Sequence, residues 1–300
     1  MIMEDKKSQV GLVGLGNAGM ALAAPLLRQF AVLGYDRDGG RREVARSAGV
    51  RVAETAKAVA EECEIVLLSL PAPEASRAAL GEMAGDQLKD RLIIETSTVS
   101  PKDIEWLVKA AGEHGATVVD SAIVGGVKKL TDGKTTFLVG ASPSDYERAR
   151  PVLNAAAEEI FHLGPVGNGM RAKLVNNAVA HTTMVMIIEA AAIAAKAGVP
   201  MDVFYTLMSR ESGLMRPLTH RFGERIRNQD FEGGMSTANA RKDSVLILDL
   251  AKELGVPLFT LQASHTVYEI AGGEHLSRLD YASISKLWEQ WLDISFGAKA

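Results

Sequence analysis

Apolar positions change rhythm near residue 165. Before it, short runs rich in β-branched residues alternate with stretches of helical spacing. The runs are QVGLVG (9–14), AVLGYD (31–36), VRVA (50–53), IVLLSL (65–70), RLIIET (91–96), ATVVDSAI (116–123) and TTFLVG (135–140). Each has strand length, and most are bounded by glycine, proline or polar residues. Residues 18–29 and 41–48 repeat with a helical period, and helical segments separate most of the other runs. Strand–helix–strand repetition predicts a parallel sheet with helices on both faces.

After residue 165 nearly everything reads as helix: 170–196, 201–209, 217–228, 236–254, 260–271 and 281–293. Gly198-Val199-Pro200 stops the first of these and Gly255-Val256-Pro257 the fourth. Two domains follow, 1–165 and 166–300, with the break at Gly164-Pro165. A helix over 170–196 would be about 40 Å long, at 1.5 Å per residue. That length suits a spine shared by two domains or two subunits. Its apolar stretch is interrupted by Asn176, Asn177, His181 and Glu189, which favours a buried helix over a membrane span.

Composition narrows the class. The 300 residues are 47% hydrophobic and 23% charged, ordinary for a globular protein of two domains. A net charge of −4 supplies no basic face for nucleic acid or an anionic membrane. Arg41-Arg42 and Lys128-Lys129 read as solvated surface. One cysteine, Cys63, excludes an internal disulfide; it reads as a structural thiol and fits a reducing cytoplasm. The N-terminal MIMEDKKSQV has no apolar signal core, and no repeat or low-complexity tract is visible.

Chemistry enters at GLVGLGNAGMALAAPLL (11–27). Gly14-Leu15-Gly16-Asn17-Ala18-Gly19 is a G-x-G-x-x-G, followed by Met20. A strand precedes it, a helix follows, and Asp36 ends the next strand, which is the context a dinucleotide site requires. Gly14 allows the tight turn, Gly16 the approach of a pyrophosphate, and Gly19 the packing of helix on strand. Asp36 can accept hydrogen bonds from both ribose hydroxyls of NAD, whereas Arg37, Arg41 and Arg42 can pair with the 2′-phosphate of NADP. NAD is favoured. SLPAPEA (69–75) and ETSTVSP (95–101) follow two further strand ends, so Ser69, Leu70, Pro71, Ser97 and Thr98 are candidates for the nicotinamide pocket, with ordinary loop polarity as the competing reading. A polar stripe also stands out. Lys173, Asn177 and His181 are four residues apart and share one helix face.

These segments resemble the β-hydroxyacid dehydrogenase family, over nearly the whole chain. GLGNAGMALAAPLL is similar to the family's GLGxMGxxMAxNL, and DSAIVGGVKKLTDGKTTFLVG to its substrate loop, usually DAPVSGGxxGAxxGxLxxxVGG. GPVGNGMRAKLVNN resembles the catalytic GxxGxGxxxKxxNN, and RKDSVLILDLAKELGVP the KDLxLAxxxAxxxGVP. The resemblance implies an α/β Rossmann-type dinucleotide-binding domain, a long interdomain helix, and an all-α second domain. It implies an NAD(P)-dependent oxidoreductase acting on a small hydroxy acid, commonly a dimer or tetramer.

It also implies roles. Lys173 matches the catalytic lysine, which moves the hydroxyl proton if its surroundings lower its pKa. Asn177 would orient that hydroxyl. Lys242 matches a lysine reaching the cofactor region, and Phe231 an aromatic over the active site. Two positions depart from the pattern. Val124 replaces a serine that helps hold the substrate carboxylate, leaving the backbone of Gly125 and Gly126 as an anion nest. His181 replaces a small residue; it can touch a longer substrate or be an interior histidine, and the second is favoured. Two other readings stand beside the dehydrogenase: an imine reductase acting on a less charged substrate, and a non-catalytic NAD(P)-binding module.

Overall fold

A computed structural model describes residues 8–210 and 213–298. The stretch MIMEDKK, read above as lacking a signal core, lies outside the described residues. The chain forms two compact units, residues 1–177 and 178–300.

In the first unit β1 (Gln9–Val13), α1 (Asn17–Gln29), β2 (Ala31–Tyr35), α2 (Gly39–Ser47), β3 (Arg51–Val52) and α3 (Ala56–Glu62) follow one another. Then come β4 (Ile65–Leu68), α4 (Pro73–Met83), β5 (Leu92–Glu95), α5 (Pro101–Gly112), β6 (Thr117–Val124), α6 (Gly126–Asp132), β7 (Thr135–Gly140), α7 (Pro143–Asn154) and β8 (Ala157–His162). The strands make one sheet in the order β3-β2-β1-β4-β5-β6-β7-β8. Leu12, Leu22, Leu26, Ile94 and Phe137 fill the core on one face. Val59, Val66, Leu68, Leu80 and Ile93 fill it on the other. Side-chain caps from Asp38, Thr55, Ser100 and Ser142 start α2, α3, α5 and α7.

The sheet departs from the expected all-parallel pattern. β7 runs antiparallel to β6, with Asp120 opposite Gly140 and Val124 opposite Thr136. β5 ends at Glu95, opposite Asp120, so β6 continues four residues past it to Val124. β8, which the hydrophobic pattern does not reveal, adds to β7 as a parallel edge strand. It carries Glu158, Glu159 and His162 and is largely exposed, so it lacks the apolar signal of a buried strand.

The α8 helix (Asn168–Lys196) contains the division between the units. By length and composition it could cross a membrane. The expectation of a buried helix does not hold within the chain: Val175 is 67%, Val179 65% and Ile188 56% exposed. Its apolar residues are spread around the axis, so no one neighbouring element can cover them all.

The second unit is helical: α9 (Met201–Met208), a π-helix (Pro217–Ile226), α10 (Thr237–Leu254), α11 (Thr260–Gly273), a 3₁₀ turn (Tyr281–Ile284) and α12 (Ser285–Leu292). Gly255, at φ +68°, ends α10 as the Gly-Val-Pro signal predicts. Buried Glu189 of α8 accepts the amides of Phe259, Thr260 and Leu261, capping α11 from another helix. Those bonds hold its carboxyl below the usual carboxylate range, against the opposing effect of burial.

Tight backbone contact sets one measurable limit. A Cβ at Gly169 would lie 2.4 Å from Leu138 O and 2.8 Å from Asp120 Oδ2. Gly169→Ala should therefore cost about 1–3 kcal/mol. A chemical-denaturation midpoint equal to that of the wild type would contradict this packing.

Candidate active site

β1 and β4 are neighbours, yet the chain leaves β1 toward β2 on one side and β4 toward β5 on the other. Such a reversal opens a crevice beyond the carboxyl ends of the strands. A cleft of about 650 Å³ occupies that place, and all its lining residues belong to the first unit.

The turn after β1 forms its middle. Gly14 takes φ +99°, and a Cβ there would lie 2.1 Å from Ser69 O; a Cβ on Gly19 would lie 1.9 Å from Gly14 O. Only glycine permits both approaches. Gly16 precedes α1 without a side-chain cap, so the first-turn amides keep their donors for an outside acceptor. Gly14, Gly16, Asn17, Ala18 and Gly19 all line the cleft. These uncapped amides and this side-chain-free cradle fit a pyrophosphate. The side chains of Leu15 and Met20 face the core: Leu15 is 2% exposed and Met20 packs against the same cluster. The helix and strand turn them inward, and Leu15 contributes its backbone N–H to Asp36.

At one end stand Asp36, Arg37 and Arg41. Asp36 is buried, and its two oxygens accept the amides of Leu15 and Asp38, each at 2.9 Å. Arg41 Nη1 is 3.6 Å from its carboxylate. Arg42 turns away and donates to Asp36 O at 2.8 Å. The acid is thereby fixed, with two cations at the rim.

At the other end Ser69, Leu70, Pro71, Thr96, Ser97 and Thr98 meet Ile123, Gly126, Val127, Leu130 and Lys173. Ser97 Oγ accepts the Leu70 amide at 2.8 Å, tying the loop after β5 to the loop after β4. Lys173 is partly buried on α8, and that burial lowers its pKa from the ordinary lysine value. Two carboxyls lie beneath, paired side by side in the sheet register: Glu95 on β5 and Asp120 on β6. Both are fully buried. Asp120 accepts the amides of Gly167 and, at 2.7 Å, Met170, and so grips the start of α8 one turn before Lys173. Burial raises its pKa, and the two amide bonds oppose that. Neither carboxyl draws a role from the sequence, where Glu95 reads as a polar strand end and Asp120 as a polar position inside a strand. Tyr35 ends β2 and joins the cleft through sheet register, whereas Ile123, Val127 and Leu130 lie within the segment 120–140 quoted above and had no role of their own there.

The other expected site residues have the following surroundings, each within its own unit. Val124 is not on the cleft wall; its carbonyl accepts Thr135 Oγ1, and the apolar wall comes from Ile123, Val127 and Leu130. Gly125 and Gly126 have φ of +131° and +75°, but only Gly126 borders the cleft. Asn177 is one turn beyond Lys173 and is touched by Asn176 Nδ2 at 3.4 Å. Lys128, expected at the surface, pairs there with Asp132. In the second unit Phe231 is buried beneath the Lys286 ammonium, at 4.8 Å. Lys242 is exposed and pairs with Asp243 at 2.9 Å. His181 is exposed, which corrects the interior reading: no element among the described residues covers its side chain.

Residues 9–164 match the family profile described as the NAD binding domain of 6-phosphogluconate dehydrogenase. Residues 167–288 match the one described as NAD-binding of NADP-dependent 3-hydroxyisobutyrate dehydrogenase. The chain is 28% identical to 2-(hydroxymethyl)glutarate dehydrogenase of Eubacterium barkeri, over 97% of its own length and 98% of that protein. It is 27% identical to mitochondrial 3-hydroxyisobutyrate dehydrogenase of Drosophila melanogaster, covering 94% and 89%. Among solved structures, an imine reductase from Pseudomonas sp. superposes with a TM-score of 0.86 at 22% identity, covering 94% and 99%. That likeness speaks for the fold.

Gly14→Ala should weaken dinucleotide binding by roughly tenfold or more, because the cradle must open to admit the methyl group. Calorimetric titration checks this; wild-type affinity in the variant would move the phosphate site off this turn.

Proposed function

The chain belongs to the β-hydroxyacid dehydrogenase family of NAD(P)-dependent oxidoreductases acting on CH–OH groups, and from this we propose that it transfers a hydride between nicotinamide and a small β-hydroxy acid or its semialdehyde, with Lys173 as general acid and base. The supporting observation is that Lys173 borders the same cleft as the glycine turn, at the end remote from Asp36. On this reading residues 1–165 form the cofactor domain and 166–300 the helical one. Bound nicotinamide supplies the hydride acceptor or donor. Lys173 Nζ takes the hydroxyl proton during oxidation and returns it to the carbonyl oxygen during reduction. Asn177, one turn on, orients that oxygen. Gly126, beside Gly125, offers a backbone amide to the substrate carboxylate. Ile123, Val127 and Leu130 present an apolar wall to the rest of the substrate.

Lowering the lysine pKa has a defined sign. The neutral amine is the base, so alcohol oxidation should rise with pH through a point below 10.5. Lys173→Met should lower kcat/KM by about 10²–10⁴ and leave cofactor affinity within about twofold. Undiminished turnover on the true substrate would end the assignment.

The apolar wall also suits a less charged substrate, which keeps imine reduction as a second reading. A panel of β-hydroxy acids and cyclic imines, followed by nicotinamide absorbance, separates the two. An absence of turnover on both, with cofactor bound, would point to a binding module.

We infer NAD as the preferred cofactor, because Asp36 is held at the ribose end by two backbone bonds. Arg41→Ala should then change NADH affinity by less than about threefold and NADPH affinity by about tenfold or more. Equal losses would remove the distinction. We further infer a homodimer or homotetramer, because Val175, Val179, Met184, Val185 and Ile188 leave α8 exposed in the single chain. Light scattering should give two or four times 32.0 kDa, and a mass of one chain would refute it. The single buried thiol, Cys63, fits a cytoplasmic setting.

A further inference from the structure

Glu95 closes β5 in the centre of the sheet, below the cleft end that holds Ser97, Thr98 and Lys173. It is fully buried. Its Oε1 accepts the Ser97 amide at 2.8 Å, and Ser97 Oγ in turn accepts the Leu70 amide at 2.8 Å. One carboxyl therefore fixes both loops at that end. Neither its Oε2 nor the buried hydroxyl of Ser76 on α4 has a partner at full hydrogen-bond geometry, although the hydroxyl lies near enough to favour the ionised carboxyl. An unpartnered carboxyl oxygen in a dry site is where a proton is retained.

The surrounding charges are already committed. Asp103 on α5 is paired with Arg77 of α4 at 2.7 Å. Asp120, the register neighbour on β6, is engaged by the amides of Gly167 and Met170. The cation that borders this end of the cleft is Lys173. Burial raises the Glu95 pKa to about 7, against the opposing effect of Ser76 and Ser97.

We propose that Glu95 is a positioning residue whose ionisation selects the oxidation state of the bound cofactor. This rests on the reading that places nicotinamide at the Lys173 end. The oxidised ring is a cation and the reduced ring is neutral. A carboxylate beneath that end favours the cation; a neutral carboxyl favours neither. Binding of the oxidised form then lowers the proton affinity of Glu95 and releases a proton, whereas the reduced form releases none. The enzyme thus exchanges its preference for oxidised cofactor with pH, through a group that touches neither cofactor nor substrate.

Calorimetric titration of the full-length protein with NAD⁺ and NADH, at pH 6 and pH 8 and in two buffers of different ionisation enthalpy, tests this. In the wild type the preference for NAD⁺ over NADH should rise about fivefold from pH 6 to pH 8, the size expected when a group titrating near 7 is lowered by about one unit. Proton release should accompany NAD⁺ alone. Glu95→Gln keeps an acceptor for Ser97 and a donor for Ser76, and it should abolish both the pH dependence and the proton release. Lys173→Met should retain them. A pH dependence that survives Glu95→Gln overturns the proposal. One lost only in Lys173→Met also overturns it, and assigns the proton to the lysine. Failure of the catalytic reading appears separately, as undiminished turnover of Lys173→Met. Absence of proton release in the wild type overturns the proposal without any variant.

Discussion

The rest of the site depends on the grip of Asp120 on the backbone of Gly167 and Met170. A buried carboxylate is costly unless hydrogen-bonded, and the uncapped start of a helix is a source of unpaired donors. Each satisfies the other here. The joint fixes where α8 begins relative to the sheet, and α8 carries Lys173. Glycines at 140, 167 and 169 crowd the same point, two of them because any Cβ would strike the carboxylate or a nearby carbonyl. Lys173 is thus located by packing around one anion, and only indirectly by its own contacts.

The reversal of β7 makes that joint geometrically available. Had β6 stopped level with β5 and been followed by strands running back through the sheet, β8 would have ended at the far edge. The four-residue extension of β6 lifts the β7–β8 pair beyond the parallel strands instead. The chain comes down through β8 and arrives at the carboxyl edge, level with Asp120. A helix that starts there faces the crevice.

What the sequence revealed followed the range of each interaction. The glycine turn, Asp36 and the helix stops are local patterns, and their positions in the structure match the reading. Lys173 was found by its motif, and burial places it at the cleft. Asp120 and Glu95 drew no role, because a carboxyl within a strand or at its end looks the same whether it faces water or caps a helix 47 residues later. The inward turn of the Leu15 and Met20 side chains was not legible, since a motif names a segment and only the turn decides which side chains point inward. β8 escaped because an edge strand needs few apolar residues. α8 was recognised as a helix, but periodicity does not say what covers it.

That last feature has a thermodynamic corollary. A 29-residue helix with apolar groups on all sides, largely uncovered within its own chain, is unfavourable in water. Whatever shields it lowers the free energy of the folded form by mass action. Where the shield is a second copy, as proposed above, folding and self-association form one linked equilibrium. Resistance to heat is then a function of how much of the protein is present, so dilution acts on it as a denaturing condition.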